Sequence, residues 1–393
     1  MKSEINKLLA IRAIRSFMVV MPIITLYFQE SGLLIRDIFV LQVIFSVAIV
    51  ALEVPSGYFA DVFGRKGSLV IGVVVGTAGF LMYYFAIGFL GFAIAELLLA
   101  ISAAFLSGAD SAFLYDTLQQ YGATDQHTRH QGRIISTTRF SEAIAALVGG
   151  FLATIIALKS IFLVEFLVMA LAIPIVFSMK EPEIPPSKKK RKTIFQILSF
   201  ALRENKKLLY LNIFSGVIST VTLVMVWFAQ PYWEKLEVPL FYFGIMWAGL
   251  NILVAVGAFF AHRLEKFFSF RALFGFIAIL PIVLFGLLAL GIEYLALAVI
   301  PLFWVLRGVF QPISLDYINR ETDSSTRATV VSISQLFGRA FFSILSPFLG
   351  WIADIWSLET AFAASALVFG ILSVFSFLLL YSKMKQGLKV REA

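Results

Sequence analysis

Gly57-Tyr58-Phe59-Ala60-Asp61-Val62-Phe63-Gly64-Arg65-Lys66 is a short polar stretch between two long apolar runs, and its reading decides the fold. A glycine, an acid four residues on, a second glycine and two bases predict a tight turn joining two helices. The glycines let the backbone turn and let neighbouring helices approach closely. Asp61 is expected to accept hydrogen bonds from backbone N–H groups at a nearby helix start. Arg65 and Lys66 hold the turn on the cytoplasmic side of a membrane.

The membrane follows from composition. Hydrophobic residues make up 60% of the 393, Phe alone numbers 41, and charged residues reach only 14%, which excludes an ordinary soluble domain. Apolar runs of roughly 20 residues, the length that crosses a ~30 Å hydrocarbon layer, recur along the chain. Helical spans are expected at about 7–29, 36–60, 67–88, 91–117, 133–157, 160–179, 207–231, 239–262, 271–291, 293–317, 329–354 and 358–381. The first contains Arg12 and Arg15 and lacks a small-residue cleavage site, so it reads as a retained helix and not a signal peptide. The chain has no cysteine, which removes disulfides, thiolate catalysis and Cys-ligated zinc.

A net charge of +8 would suggest nucleic acid in a soluble protein, but its placement gives a better explanation. With the N-terminus inside, only Arg36, Lys159 and Lys235 of the 32 Lys and Arg fall outside, and Arg139, Arg307 and Arg339 lie within helices. The rest sit in or beside cytoplasmic segments, as the positive-inside rule requires. A multi-pass protein of the inner (plasma) membrane is expected, with both termini cytoplasmic and no nucleic-acid partner.

The expected organisation is a six-helix bundle over 1–180, a cytoplasmic linker over 181–206 and a second six-helix bundle over 207–393. Glu181-Pro182-Glu183-Ile184-Pro185-Pro186 cannot continue a helix, and Lys188 to Lys192 form a basic run suited to anionic lipid. Ile194, Ile197, Leu198, Ala201 and Leu202 then recur at the spacing of an amphipathic surface helix. The bundles repeat one another. Thr124, Asp125 and Arg129 return as Thr322, Asp323 and Arg327. Gly57, Gly108, Asp116, Arg139 and Gly150 return as Gly257, Gly308, Asp316, Arg339 and Gly350, so every offset is 198 or 200 positions. A shared offset through corresponding helices is the mark of parallel duplication. In the second copy of the hinge, Ala261 stands where Asp61 does.

The hinge resembles motif A of the major facilitator superfamily, G-x-(L)-(A)-D-(R/K)-x-G-R-(R/K). Gly57, Asp61, Gly64, Arg65 and Lys66 fall in register, and Val62 replaces the usual base. Glu96-Leu97-Leu98-Leu99-Ala100-Ile101-Ser102-Ala103-Ala104 is similar to motif B, with Glu in place of its Arg. Ser141 to Gly150 resembles motif C of antiporters without its proline. The resemblance implies an all-α membrane protein of 12 transmembrane helices in two pseudo-symmetric six-helix bundles, of bacterial type and near the drug/proton antiporter branch. It further implies alternating access about a midplane site, with the hinge stabilising one state.

Ionisable residues deep in membrane helices each cost about 2.5–3.5 kcal/mol on insertion scales and so need a reason. Arg15, Asp110, Arg139 and Glu142 lie at similar levels. They read either as a buried ion-pair cluster locking helices 1, 4 and 5 or as a cavity-lining network that re-pairs during transport. Glu96 stands alone in the outer half of its helix, either as a proton carrier or as a hydrogen-bonded rim residue. Arg307 and Arg339 lie near the midplane with no membrane acid of the second half level with them, so they either bind an anionic substrate or cap and pair locally. Tyr27, Gln42, Trp227, Asn251, Gln311 and Gln335 are expected to complete a cavity.

The leading expectation is proton-coupled export of small amphipathic organic compounds. The alternative is a carrier for an organic anion or zwitterion held by the midplane arginines. No enzyme motif is present, and His127, His130 and His262 form no metal site, so neither catalytic residues nor metal are expected. The only energy source expected is the proton gradient; the partners are a small-molecule substrate and the bilayer, and the protein is expected to be a monomer.

Overall fold

The computed structural model describes residues 1–183, 205–322 and 327–391; the amphipathic helix expected over 194–202 lies outside them. Every regular element among the described residues is helical. In chain order these are α1 (Lys2–Ser16), α2 (Ile24–Glu30), α3 (Ile35–Phe63), α4 (Arg65–Phe85), α5 (Gly88–Gln120), α6 (His127–Leu152), α7 (Leu158–Ala170) and α8 (Ala172–Ser178). They continue as α9 (Lys206–Lys235), α10 (Leu240–Phe267), α11 (Phe270–Ala289), α12 (Glu293–Arg320), α13 (Arg327–Ile355) and α14 (Leu358–Arg391). Among the described residues, ten segments are long and apolar enough to cross a membrane. Their many exposed large side chains, such as Ile344 at 73% and Leu367 at 65%, suit contact with lipid rather than water.

Three expected spans differ. The first is broken into α1 and α2, with 17–23 non-helical between them. The cause is local: Pro22 has no N–H to give and its ring obstructs the carbonyl four residues back, so the helix stops and restarts. The sixth is interrupted at Leu171, just before Pro174. The fifth, α6, is too rich in polar residues in its first half to meet the apolar criterion.

Contacts divide the chain into two units. The first comprises Met1–Lys188 with Trp233–Gly249, and the second Lys189–Tyr232 with Leu250–Ala393. In the first, α4 packs along α5 and α7. The α4–α5 seam is polar and tight: Ser102 Oγ donates to Gly72 O at 2.6 Å and Ser68 Oγ to Phe105 O at 2.8 Å. A Cβ on Gly72 would lie 2.4 Å from Leu106 Cγ, so only glycine lets these helices approach so closely. Tyr27, Phe28, Tyr83, Phe92 and Phe162 form one aromatic cluster at the heart of this unit. Segment Trp233–Gly249 joins it where Gly150 of α6 meets Gly244, whose Cα would lie 2.6 Å from a Cβ at Gly150. In the second unit α11 packs along α14 and α12, around Phe285, Phe303, Phe362 and Phe369.

Candidate functional site

The hinge closes on charge. Gly64 ends α3 at φ +92°, a conformation that suits glycine alone, and a Cβ there would strike the Glu181 carboxylate. Arg65 pairs with Asp61 at 2.6 Å and with Asp116, at the far end of α5, at 3.2 Å. The carboxylate on the helix start is Glu181, which accepts from the Arg65 and Lys66 amides at 2.6 Å each. This corrects the role expected of Asp61. Asp61 sits on the last turn of α3 within reach of the Arg65 guanidinium, and the chain after α8 brings Glu181 onto the α4 amides, where a helix N-terminus favours an anion.

The second unit holds a charge-reversed copy. Glu265 stands where Arg65 does, 200 positions on, and Arg320 pairs with it at 2.8 Å and with Asp316, the repeat partner of Asp116. Duplication has kept the ion cluster while exchanging which element carries the base.

The cluster expected from Arg15, Asp110, Arg139 and Glu142 resolves into two. Asp110, almost fully buried on α5, pairs with Arg12 of α1 at 2.5 Å, and Ser111 Oγ donates to it at 3.2 Å. Arg15 acts on Asp110 from one turn further along α1. Arg139 and Glu142 satisfy each other at 2.9 Å on the exposed side of α6, as i,i+3 neighbours readily do.

Glu96 is not alone. Tyr83 donates to its Oε1 at 2.6 Å and Gln42 Nε2 at 2.7 Å, and Tyr27 OH in turn donates to Tyr83 O at 3.0 Å. Tyr27 and Gln42, expected on a cavity wall, are therefore part of a packed network that ties α2, α3, α4 and α5 around one carboxylate. Trp227 is likewise buried in α9.

Sequence reasoning passed over Glu165. It is 1% exposed on α7, and it accepts the Val19 amide at 2.8 Å and the Val20 amide beside it. Both amides belong to the break in the first span. The signal that could have found it is an acid in the apolar run Ile161-Phe162-Leu163-Val164-Glu165-Phe166-Leu167. On the other side Gly149 of α6 presses on the Val19 carbonyl. The broken segment is held at both its donor and its acceptor.

A cavity of about 270 Å³ lies wholly within the second unit, between α9, α12 and α13. Arg307, Gln311 and Gln335, all expected from the sequence, line it. So do the hydroxyls of Ser215, Ser219, Thr222, Ser314 and Ser334, which the sequence reading missed. Ser215 Oγ and Ser314 Oγ are 2.5 Å apart across the α9–α12 contact. Arg307 and Arg339 are each engaged in an interaction. Asn251 is also engaged and half-buried.

Repeated helical units with buried charge pairs and an internal polar cavity define a polytopic membrane carrier. The chain belongs to the Major Facilitator Superfamily, whose model matches residues 8–347. An MFS-type transporter of Methanocaldococcus jannaschii is 26% identical over 247 residues, which covers 60% of this chain and 61% of that protein, less than two thirds of its length. The crystal structure of the nucleoside transporter NupG matches with a TM-score of 0.77 at 15% identity, over 98% of both chains. An inward-facing bacterial homolog of the human lysosomal transporter Spinster matches at 0.76 and 16%, over 98% of this chain and 96% of that one. A D-xylose-proton symporter matches at 0.73 and 11%, over 96% of each. At these identities the likeness is one of fold. Family and fold mark a transporter, not an enzyme.

Proposed function

We propose that this carrier is proton-coupled, works by alternating access, and moves a small polar solute bearing an anionic or zwitterionic group. The observation that carries the reading is the cavity of the second unit, where Arg307, Gln311, Gln335 and five Ser and Thr residues line one space together with five apolar residues. A guanidinium beside amides and hydroxyls suits a carboxylate or phosphate with further polar groups. Glu96 and Glu165, buried carboxylates in the other unit, supply proton sites that a gradient can drive. Export of amphipathic drug-like compounds is the second reading: Ile218, Leu223, Phe310, Leu315 and Ile318 give the lining more apolar than polar surface, but motif C lacks its proline. The cation bias supports a hinge and termini that face the cytoplasm, and a monomer in the plasma membrane is part of the same proposal.

Counterflow in proteoliposomes, with and without a pH gradient, tests this. Organic anions are expected to exchange, and Arg307→Gln to weaken their binding by roughly tenfold or more while the melting temperature stays close to wild type. Glu96→Gln is expected to keep exchange and lose accumulation driven by the pH gradient. Exchange of drug-like cations but not of anions would reject the substrate class.

A further inference from the structure

A second cavity, of about 360 Å³, lies at the basic end of the first unit, where α1 and α6 both begin. Lys2 and Asn6 of α1 line it together with Gln126, Arg129, His130 and Arg133 around the start of α6. Lys2, Arg129 and Arg133 carry permanent positive charge, the amino group of Met1 lies on the same lining, and none of the described lining residues is acidic. The acid nearest in sequence on α1, Glu4, is already engaged with Lys7 and with the Lys180 amide. The cavity also sits at the N-terminus of a 26-residue helix, where the His127 amide already donates to Thr124 O.

An independent observation points to a ligand. His130 is only 8% exposed, lines the cavity, and has a buried Nδ1 with no hydrogen-bond partner among the described residues. A buried ring nitrogen in a cationic pocket is costly unless a hydrogen-bonding ligand completes it. Burial, then the neighbouring Arg133 and Arg129, hold the imidazole below its ordinary pKa and so keep it neutral at pH 7.

We propose that this cavity is a binding site for a terminal phosphate dianion, the chemistry shared by the head of phosphatidic acid and free phosphate. Guanidinium forks match phosphate oxygens bidentately, and two such forks with a lysine balance a dianion. A bound dianion would reverse the field at His130, so the ring takes up a proton and becomes a further donor. As pH falls through the histidine range, protonation of His130 strengthens binding, while protonation of the phosphate, whose second pKa is about 6, opposes it by removing a negative charge from the ligand. This site is separate from the substrate cavity.

The test uses the full chain in detergent with inorganic phosphate, against sodium chloride of matched ionic strength. Phosphate is expected to raise the melting temperature where chloride does not, and calorimetry in two buffers of different ionisation enthalpy to show proton uptake on binding. Arg129→Gln/Arg133→Gln is expected to weaken binding by roughly tenfold or more. His130→Gln is expected to abolish the proton uptake, and carries the test alone if the double variant does not fold. The source is read in nanodiscs. A phosphate effect that survives in phosphatidylcholine but vanishes in phosphatidic acid assigns the site to the lipid head; one that persists in both assigns it to soluble phosphate. Equal shifts with phosphate and chloride, or unchanged phosphate binding in both variants, would overturn the proposal.

Discussion

Arg12→Ala is expected to destabilise the protein by about 3–5 kcal/mol and to abolish transport, because it strands a buried carboxylate. The Asp110 side chain is 3% exposed, whereas that of Arg12 is 24% exposed. The two halves of the pair are therefore unequal. Without Asp110, the arginine can turn its charge toward the exposed side and recover part of its hydration. Without Arg12, the carboxylate keeps only Ser111 and the more distant Arg15, and must stay charged at a cost or take up a proton. Asp110→Ala should therefore cost less than Arg12→Ala. The neutral double variant Arg12→Gln/Asp110→Asn should recover most of the loss, since removing both charges removes the desolvation cost with them. Melting temperature and denaturant titration of the four proteins measure these differences. If Asp110→Ala proves the more damaging of the single changes, the carboxylate is not the stranded partner and the asymmetry argued from burial is wrong.

The pair also shows which parts of the molecule a sequence can disclose. The hinge was legible because Gly64, Arg65 and Asp61 act on neighbours within a few residues, and such spacings are written in the chain itself. The duplication was legible for a related reason: a common offset ties Asp116 to Asp316 without any knowledge of contacts. The reversal of charge between Arg65 and Glu265 could have been seen at that same offset, but it acquires meaning only once Arg320 is found beside Glu265.

Long-range partners were not legible. Hydropathy placed Asp110 in a membrane helix, yet Arg12 and Arg15 lie one turn apart on α1 and depth alone does not choose between them. Glu165 is the stronger case. Its partners are backbone amides 146 residues earlier in the chain, and those amides are free to donate only because the first span breaks before Pro22. A helix drawn continuously through that segment leaves them no reason to seek a carboxylate. The serines of the second unit's cavity were passed over because a hydroxyl that returns to its own helix backbone and one that faces a cavity look alike in sequence.

The same broken segment sets the other large expectation. Gly149→Ala should sharply lower yield and melting temperature and eliminate transport. A Cβ at that position would lie 1.9 Å from the Val19 oxygen and 2.9 Å from its carbonyl carbon, both backbone atoms. No side-chain rotation relieves such a contact, so either α6 or the segment must move. The segment has little freedom to do so, because its Val19 amide is held by Glu165 from the opposite side. In an open helix the same substitution returns up to ~1 kcal/mol of helix propensity. Gly108, with nothing within 4 Å of its Cβ position, provides that comparison within the same unit, and Gly108→Ala should melt at or slightly above the wild-type temperature. Contact and propensity thus predict opposite signs at two glycines of one bundle. Glu165→Ala, which removes the acceptor but adds no clash, should leave two buried amides without a partner and cost about 1–3 kcal/mol for each that stays unsatisfied. If Gly149→Ala melts and transports like Gly108→Ala, the segment yields without penalty, and a break clamped between a carboxylate and a glycine cannot be what fixes the first span.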